Sequence, residues 1–119
     1  MQIKKIDGAF SVMKLENEYV PKEGFYFTAK TDEEFSLVCK TEFAPLNYVE
    51  RSDGWKAFKV VGTLDFSLVG ILSKITAALA EKNIPVFAVS TYNTDYILVK
   101  SEFYDSAQNA LNSNGYEIL

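Results

Sequence analysis

Few side chains in this sequence could carry out covalent chemistry. The chain has no histidine, Cys39 is its only cysteine, and Arg51 is the only arginine among twelve basic residues. Ser–His and Cys–His nucleophile pairs, imidazole zinc sites and histidine acid–base catalysis are therefore excluded. A hydrolase with an arginine phosphate cradle would depend on Arg51 alone, in a charged segment. We therefore expect no enzymatic activity, no cofactor and no metal site.

Cys39 follows Leu37 and Val38 in an apolar run. A lone cysteine cannot form an internal disulfide, and free cysteine is among the most buried residue types. We predict a buried core thiol, and a reducing, cytoplasmic setting fits this cysteine usage.

Length and charge restrict the partners. The chain has 119 residues, of which 48% are hydrophobic and 24% charged, the balance of a soluble globular protein of about one average domain. The net charge is −4 and the lysines are scattered, so nucleic acid is a poor partner. No signal peptide is apparent, and the longest uncharged run, residues 83–94, is too short to span a bilayer.

The clearest pattern of secondary structure begins at Trp55. Residues 55–61 alternate as in a strand, and residues 62–67 are rich in turn and capping residues. A helix is predicted from Leu68, ended by Asn83 and Pro85. Its apolar face consists of Leu68, Ile71, Leu72, Ile75, Ala78 and Leu79.

The remainder of the chain predicts a hairpin, a helix and a last strand. Strands at 86–90 and 96–99 are separated by the polar stretch 91–95, the second helix occupies 103–115, and residues 116–119 add a short strand. The order strand, helix, strand, strand, helix, strand favours an α+β, ferredoxin-like βαββαβ fold. We expect a four-stranded antiparallel sheet with both helices on one face.

The first half of the sequence resembles the second half. Short matching segments occur in the same order in both halves. This indicates a duplication whose first copy lacks most of the first helix. The matches are 24–39 with 85–100 at an offset of 61, 9–12 with 57–60 at an offset of 48 and, with one residue dropped, 40–43 with 100–103.

Two stretches resemble a known family. Residues 69–86, VGILSKITAALAEKNIPV, resemble the opening of an ACT domain, although Val69 stands where proline is usual. Residues 62–72 together with 90–99 look like the tandem ACT subfamily, which includes small bacterial proteins and the amino-acid-sensing halves of eukaryotic cytosolic arginine sensors. The resemblance implies a complete ACT domain at 55–119 and a degenerate, truncated ACT-like subdomain at 1–54.

The same resemblance implies a function. ACT domains are regulatory modules that bind a small ligand, usually an amino acid, at an interface between ACT units. We therefore expect a non-catalytic regulatory or sensor protein that forms a homodimer. The alternative is a ligand-free ACT-type dimerisation or interaction module that uses exposed sheet edges.

An amino-acid site needs backbone donors for a carboxylate and an acidic acceptor for an ammonium. The backbone N–H groups of Leu68, Val69 and Gly70 at the expected helix start are the candidate donors, and Asp65 and Asp95 are the candidate acceptors. By resemblance, residues 91–95 also line the site. The candidate ligand-binding residues are Asp65, Ser67, Leu68, Val69, Gly70, Thr91, Tyr92, Asn93 and Asp95.

Each of these residues also has a purely structural interpretation. Asp65 or Ser67 could only cap the helix, and Asp95 could only satisfy its own turn. Tyr92 could be an exposed turn aromatic, and Gly70 could be small for packing of the helix on the sheet.

Overall fold

The computed structural model describes residues 1–63, 65 and 69–119. Within them the chain forms strands, two α-helices and two single 3₁₀ turns, at Thr41–Phe43 and Ser101–Phe103. In chain order the elements are β1 (Gln2–Leu15), β2 (Tyr26–Lys30), β3 (Phe35–Lys40), β4 (Glu50–Val60), α1 (Ile71–Ala80), β5 (Phe87–Ser90), β6 (Asp95–Lys100), α2 (Tyr104–Ser113) and β7 (Glu117–Ile118).

The chain divides into two compact units. Met1–Asp7 and Lys56–Leu119 form one, here called the two-helix unit, and Gly8–Trp55 forms the other, here called the inserted unit. Strands β1 and β4 each contribute residues to both. The predicted division was 1–54 and 55–119. The boundary in the structure lies one residue later, after Trp55, and Met1–Asp7 belong with the C-terminal part. The reason is Ile3, which is fully buried in the core of the two-helix unit.

The sheet of the two-helix unit has the strand order β7-β1-β4-β6-β5. The hairpin of β5 and β6 is antiparallel, as expected. The prediction of a four-stranded antiparallel sheet is wrong at the edge opposite β5. There β7 pairs in parallel with β1, with Gln2 opposite Glu117 and Ile3 opposite Ile118. Apolar Ile3 brings the start of the chain into this sheet because its burial removes a large side chain from water.

Both helices pack against one core cluster. In α1, Ile75 and Leu79 are four residues apart and fully buried, as the apolar periodicity predicted. Each buried side chain of this size contributes about 1.5–3 kcal/mol to the free energy of unfolding. The buried members of the cluster are Ile3, Phe58, Val60, Ile75, Leu79, Ile84, Ile97, Val99, Ala107, Ala110 and Leu111.

Asn83 and Gly115 follow the two helices, as the sequence predicted. Asn83 has a left-handed backbone with φ of 58°, and the next N–H, of Ile84, donates to the carbonyl of Leu79. Gly115 has φ of 89° and is followed by a similar bond from Tyr116 to Leu111. The start of α1 is different, because the helix begins at Ile71 and not at Leu68.

The inserted unit has the strand order β2-β3-β1-β4 and a smaller core. Its buried cluster consists of Met13, Leu15, Leu37 and Cys39. Cys39 is 1% exposed, which confirms the predicted buried thiol. Of the helices described in this chain, none combines the length and apolar character that a membrane span requires.

Candidate functional site

A cavity in the two-helix unit lies between the start of α1 and the turn that joins β5 to β6. Its volume is about 290 Å³. It brings together two segments about twenty residues apart in sequence, both singled out in the sequence analysis. The lining residues are Asp65, Gly70, Ile71, Leu72, Ser73, Ser90, Thr91, Tyr92, Asn93, Thr94 and Asp95.

The turn on one side of the cavity is held by Thr91. Its N–H and its hydroxyl both donate to the carbonyl of Thr94, at 2.8 Å and 3.0 Å, and its hydroxyl accepts from the N–H of Thr94 at 3.3 Å. Threonine stabilises turns in this way because its hydroxyl can satisfy nearby backbone groups. The turn therefore has a defined shape, with the side chains of Tyr92 and Asn93 at its tip.

Thr94 attaches this turn to the sheet. Its side chain is 3% exposed, and its hydroxyl donates to the backbone carbonyl of Val60, at the end of β4, over 2.8 Å. The acceptor lies 34 residues earlier in the sequence. The bond therefore fixes the turn beside the point where the chain leaves β4 toward α1.

Asp95 is the first residue of β6 and lies opposite Ser90 in the hairpin register. The hydroxyl of Ser90 donates to Oδ1 of Asp95 at 2.6 Å. A carboxylate has about four acceptor positions, so this bond leaves acceptor capacity on Asp95. The bonded partner of Asp95 is thus Ser90, across the hairpin at the base of the turn, and not the backbone of Asp95 itself.

Gly70 forms the other side of the cavity as the N-cap residue of α1. Its backbone is left-handed, with φ of 78° and ψ of 4°. The first bond of the helix runs from the N–H of Lys74 to the Gly70 carbonyl, which also accepts from the Ser73 hydroxyl at 3.1 Å. The N–H groups of residues 71–73 precede that bond and have no partner within the helix.

This geometry changes the predicted donors. The sequence placed them at Leu68, Val69 and Gly70, whereas the helix begins after Gly70 and presents the N–H groups of residues 71–73. The cause is the left-handed φ of Gly70, which an α-helix cannot include and which glycine adopts without steric cost. A Cβ at this position would meet no atom closer than 3.7 Å, so conformation, and not packing, requires glycine here.

Most predicted site residues line the cavity, namely Asp65, Gly70, Thr91, Tyr92, Asn93 and Asp95. Val69 does not line it; this residue is 87% exposed. Ser67 and Leu68 lie outside the described residues. Asp65 is not the N-cap of α1, because Gly70 has that position. Thr94, part of the segment 91–95 that the resemblance placed at the site, lines it as well. Sequence reasoning missed Ile71, Leu72, Ser73 and Ser90, of which only the first two had a signal, the apolar helical spacing.

The described lining contains two carboxylates and no lysine or arginine. The carboxylates of Asp65 and Asp95 can accept from a cationic group, while the N–H groups at the start of α1 can donate to an anionic one. Tyr92 lies at the turn and is 79% exposed. Nowhere in residues 1–63, 65 and 69–119 do three or more metal-ligating side chains cluster.

The inserted unit has two further cavities, of about 830 Å³ and 470 Å³. The smaller one includes the turn Thr31–Glu34 and is strongly acidic, with the ion pair of Lys30 and Glu18 at its rim, both side chains well exposed. Arg51 belongs to β4, and its Nε donates to Asp53 at 2.7 Å. This engagement with a carboxylate speaks against a phosphate cradle at Arg51.

A comparison with models of protein families shows the family to which the chain belongs. Residues 50–113 match the model of the ACT domain, which is more than half of the chain. The chain belongs to the ACT domain family. The matched residues of this ACT domain include both segments that line the cavity, the start of α1 and the turn between β5 and β6.

Two solved structures with the same fold match nearly the whole length of this ACT protein. The crystal structure of the Agobacterium tumefaciens protein Atu0741 is 29% identical, with a TM-score of 0.88, and the match covers 99% of this chain and 91% of that one. A Vibrio cholerae protein of unknown function, described as a possible transport protein, is 20% identical with a TM-score of 0.70, covering 94% and 88%.

A third structure is an enzyme of known activity. Aspartate kinase from Clostridium acetobutylicum, described as an allosteric enzyme, is 17% identical to this ACT protein with a TM-score of 0.67. The match covers 93% of this chain but 34% of the kinase, so the likeness concerns the fold of about a third of that enzyme. Among curated proteins, no match was found.

Proposed function

We propose that this chain is a non-catalytic regulatory or sensor protein that binds an amino acid. The observation that carries the proposal is the cavity that joins the start of α1 to the turn of the β5–β6 hairpin. The ligand carboxylate lies on the N–H groups of residues 71–73, and its ammonium lies between Asp65 and Asp95. Small-ligand regulation is typical of ACT domains, and the kinase with a similar fold is described as allosteric.

We further propose that the inserted unit is a degenerate ACT-like copy in a tandem arrangement. Three features support it. The turns Thr31–Glu34 and Thr91–Thr94 share the same hydrogen bonds, and β3 and β6 have equal length and the same sequence of buried positions. Its strand order, β2-β3-β1-β4, is that of a ferredoxin-like sheet without the helices.

The complete proposal includes a homodimer, with the amino acid at an interface between ACT units, and a cytoplasmic setting. The support is the position of the cavity at the surface, where Tyr92 and Val69 are largely exposed and could be covered by a second ACT unit. The likeness to the arginine sensors is a resemblance of sequence.

A thermal-shift screen against the twenty L-amino acids tests the function. Under the proposal at least one amino acid at millimolar concentration raises the melting temperature, since a ligand that binds only the folded state stabilises it by mass action. The screen should be run together with size-exclusion chromatography, so that a change of assembly is seen in the same samples.

The alternative is a ligand-free dimerisation module. The observation that favours it is β5, which ends the strand order of the sheet and has no charged residue. Unprotected edges of this kind can pair with another chain. A dimer in solution with no thermal shift for any amino acid would support this alternative and contradict amino-acid binding.

A further inference from the structure

Ser90 was not anticipated as a site residue, yet it touches the proposed ligand acceptor. It is the last residue of β5 and the cross-strand partner of Asp95. Its hydroxyl donates to Oδ1 of Asp95 at 2.6 Å, and both residues line the cavity. Hydrogen bonds to an ionised acceptor are stronger than those between neutral groups, so this bond stabilises the orientation that the carboxylate has in the structure.

The restriction matters for binding because an exposed aspartate otherwise samples several rotamers. A bound ammonium gains most from a carboxylate that is already oriented, since no side-chain entropy is lost on binding. An ionised carboxylate only accepts hydrogen bonds, so the positions that Ser90 leaves open on Asp95 are acceptor positions. A ligand must therefore bring a hydrogen-bond donor to the carboxylate of Asp95. An ammonium brings both donors and a positive charge.

The corresponding hairpin of the inserted unit lacks this pair. There the cross-strand pair at the end of the hairpin is Lys30 with Phe35, in place of Ser90 with Asp95. In the inserted unit the hydroxyl of Ser36 donates to the carboxylate of Glu34, and neither residue belongs to the pair of Lys30 and Phe35. The arrangement of Ser90 and Asp95 is thus a feature of one hairpin and not a requirement for forming such a hairpin.

We propose that Ser90 is a positioning residue that orients Asp95, and that this orientation makes the site prefer ligands with an ammonium over the 2-hydroxy acids of the same shape. The inference rests on the proposed amino-acid site. It predicts that removing the Ser90 hydroxyl weakens the recognition of the ammonium while leaving the other contacts of the ligand unchanged.

The first test compares amino acids with 2-hydroxy acids of matching side chain, such as L-alanine with L-lactate and L-phenylalanine with L-phenyllactate. For the amino acid that most stabilises the wild type, Ser90→Ala raises Kd about fivefold, because the Asp95 side chain must then be ordered when the ligand binds. The Kd of the matching hydroxy acid changes by less than about twofold, and Ser90→Thr restores amino-acid binding.

Ser36→Ala is the matched control, because it removes a serine–carboxylate bond of the inserted unit that does not line this cavity. It should leave both dissociation constants unchanged. Equal weakening of the amino acid and the hydroxy acid by Ser90→Ala would overturn the proposal, and so would unchanged binding of the amino acid.

A second measurement needs no amino acid. Three-bond couplings of the Asp95 side chain, measured by NMR, should report one χ1 rotamer in the wild type and in Ser36→Ala, and averaging in Ser90→Ala. Averaging already present in the wild type would overturn the positioning role. If no amino acid binds the wild type, the proposed function fails, whereas these couplings still decide what Ser90 does to Asp95.

Discussion

The hydroxyl of Thr94 donates to the backbone carbonyl of Val60, joining the turn of the β5–β6 hairpin to the end of β4. Thr94 is buried and the two residues are 34 positions apart, so a local turn residue makes a long-range contact. The bond holds one wall of the cavity against the strand that leads to the other wall.

Replacing Thr94 by valine tests this contact. Valine keeps the shape of the side chain but leaves the Val60 carbonyl without its donor, and an unsatisfied buried polar group costs about 1–3 kcal/mol. We expect Thr94→Val to lower the free energy of unfolding by that amount in urea denaturation. Thr76→Val is the control, because the Thr76 hydroxyl only bonds carbonyls of its own helix; equal losses in the two variants would contradict the role of Thr94.

Asp95→Ala tests the acceptor of the proposed site. The variant should fold and should lose the thermal shift that an amino acid produces in the wild type, because the ammonium then lacks one of its two carboxylates. Asp32→Ala removes the same charge from the turn of the inserted unit and should keep the full shift. A full shift in Asp95→Ala would count against this site.

Gly70→Ala measures the conformational demand at the start of α1. A left-handed backbone costs about 1–2 kcal/mol for a residue with a Cβ, and no steric clash adds to it at this position. Gly70→Asn should cost less, since asparagine tolerates this conformation. Gly24→Ala should cost more than Gly70→Ala, because its Cβ would also lie 3.3 Å from the ring of Phe43; the three unfolding curves establish the order.

The buried thiol of Cys39 makes stability depend on alkaline pH. Burial raises the pKa of Cys39 above its ordinary value of 9.0, and the positive charge of Arg51 opposes this to a smaller extent. The unfolded thiol therefore loses its proton first as pH rises, and the folded state loses stability progressively from about pH 9 upward. The stability difference between the wild type and Cys39→Ala should shrink between about pH 8 and pH 10; a constant difference would contradict this linkage.

Asp53 holds a polar network in the inserted unit. One of its oxygens accepts from fully buried Ser11 at 2.6 Å and from Arg51 at 2.7 Å, while Ser11 also bonds Thr41 at 2.8 Å. Asp53→Ala should lower the free energy of unfolding by about 1–2 kcal/mol, because Ser11 and Arg51 lose a charged partner. Glu18→Ala, which breaks the exposed pair with Lys30, should leave the urea midpoint unchanged.

The helices and the hairpin of the two-helix unit could be predicted because their signals are local. Apolar residues at helical spacing predicted the buried face with Ile75 and Leu79, and the polar stretch 91–95 predicted the turn. The parallel pairing of β7 with β1 could not be predicted, since it joins residues more than a hundred positions apart in sequence, such as Ile3 and Ile118. The bond of Thr94 to Val60 was missed for the same reason.

The internal match was found one residue out of register along the hairpins. Phe27 opposes Val38 and Phe87 opposes Leu98, so both strands of the hairpins correspond at an offset of 60, not 61. The same offset relates the 3₁₀ turns at Thr41 and Ser101, so no residue has to be dropped. Alternating apolar residues allow such an error because side chains repeat every two positions and the register is set by the turn.

The pairing of Ile3 with Ile118 also has a kinetic consequence. During synthesis the inserted unit is complete long before residue 118 emerges from the ribosome, whereas the two-helix unit cannot close its sheet until then. Contacts between residues so distant in sequence are slow to form, because a long loop must be closed first. The strands of the inserted unit should therefore acquire protection from hydrogen exchange earlier during refolding than the β1–β7 pair.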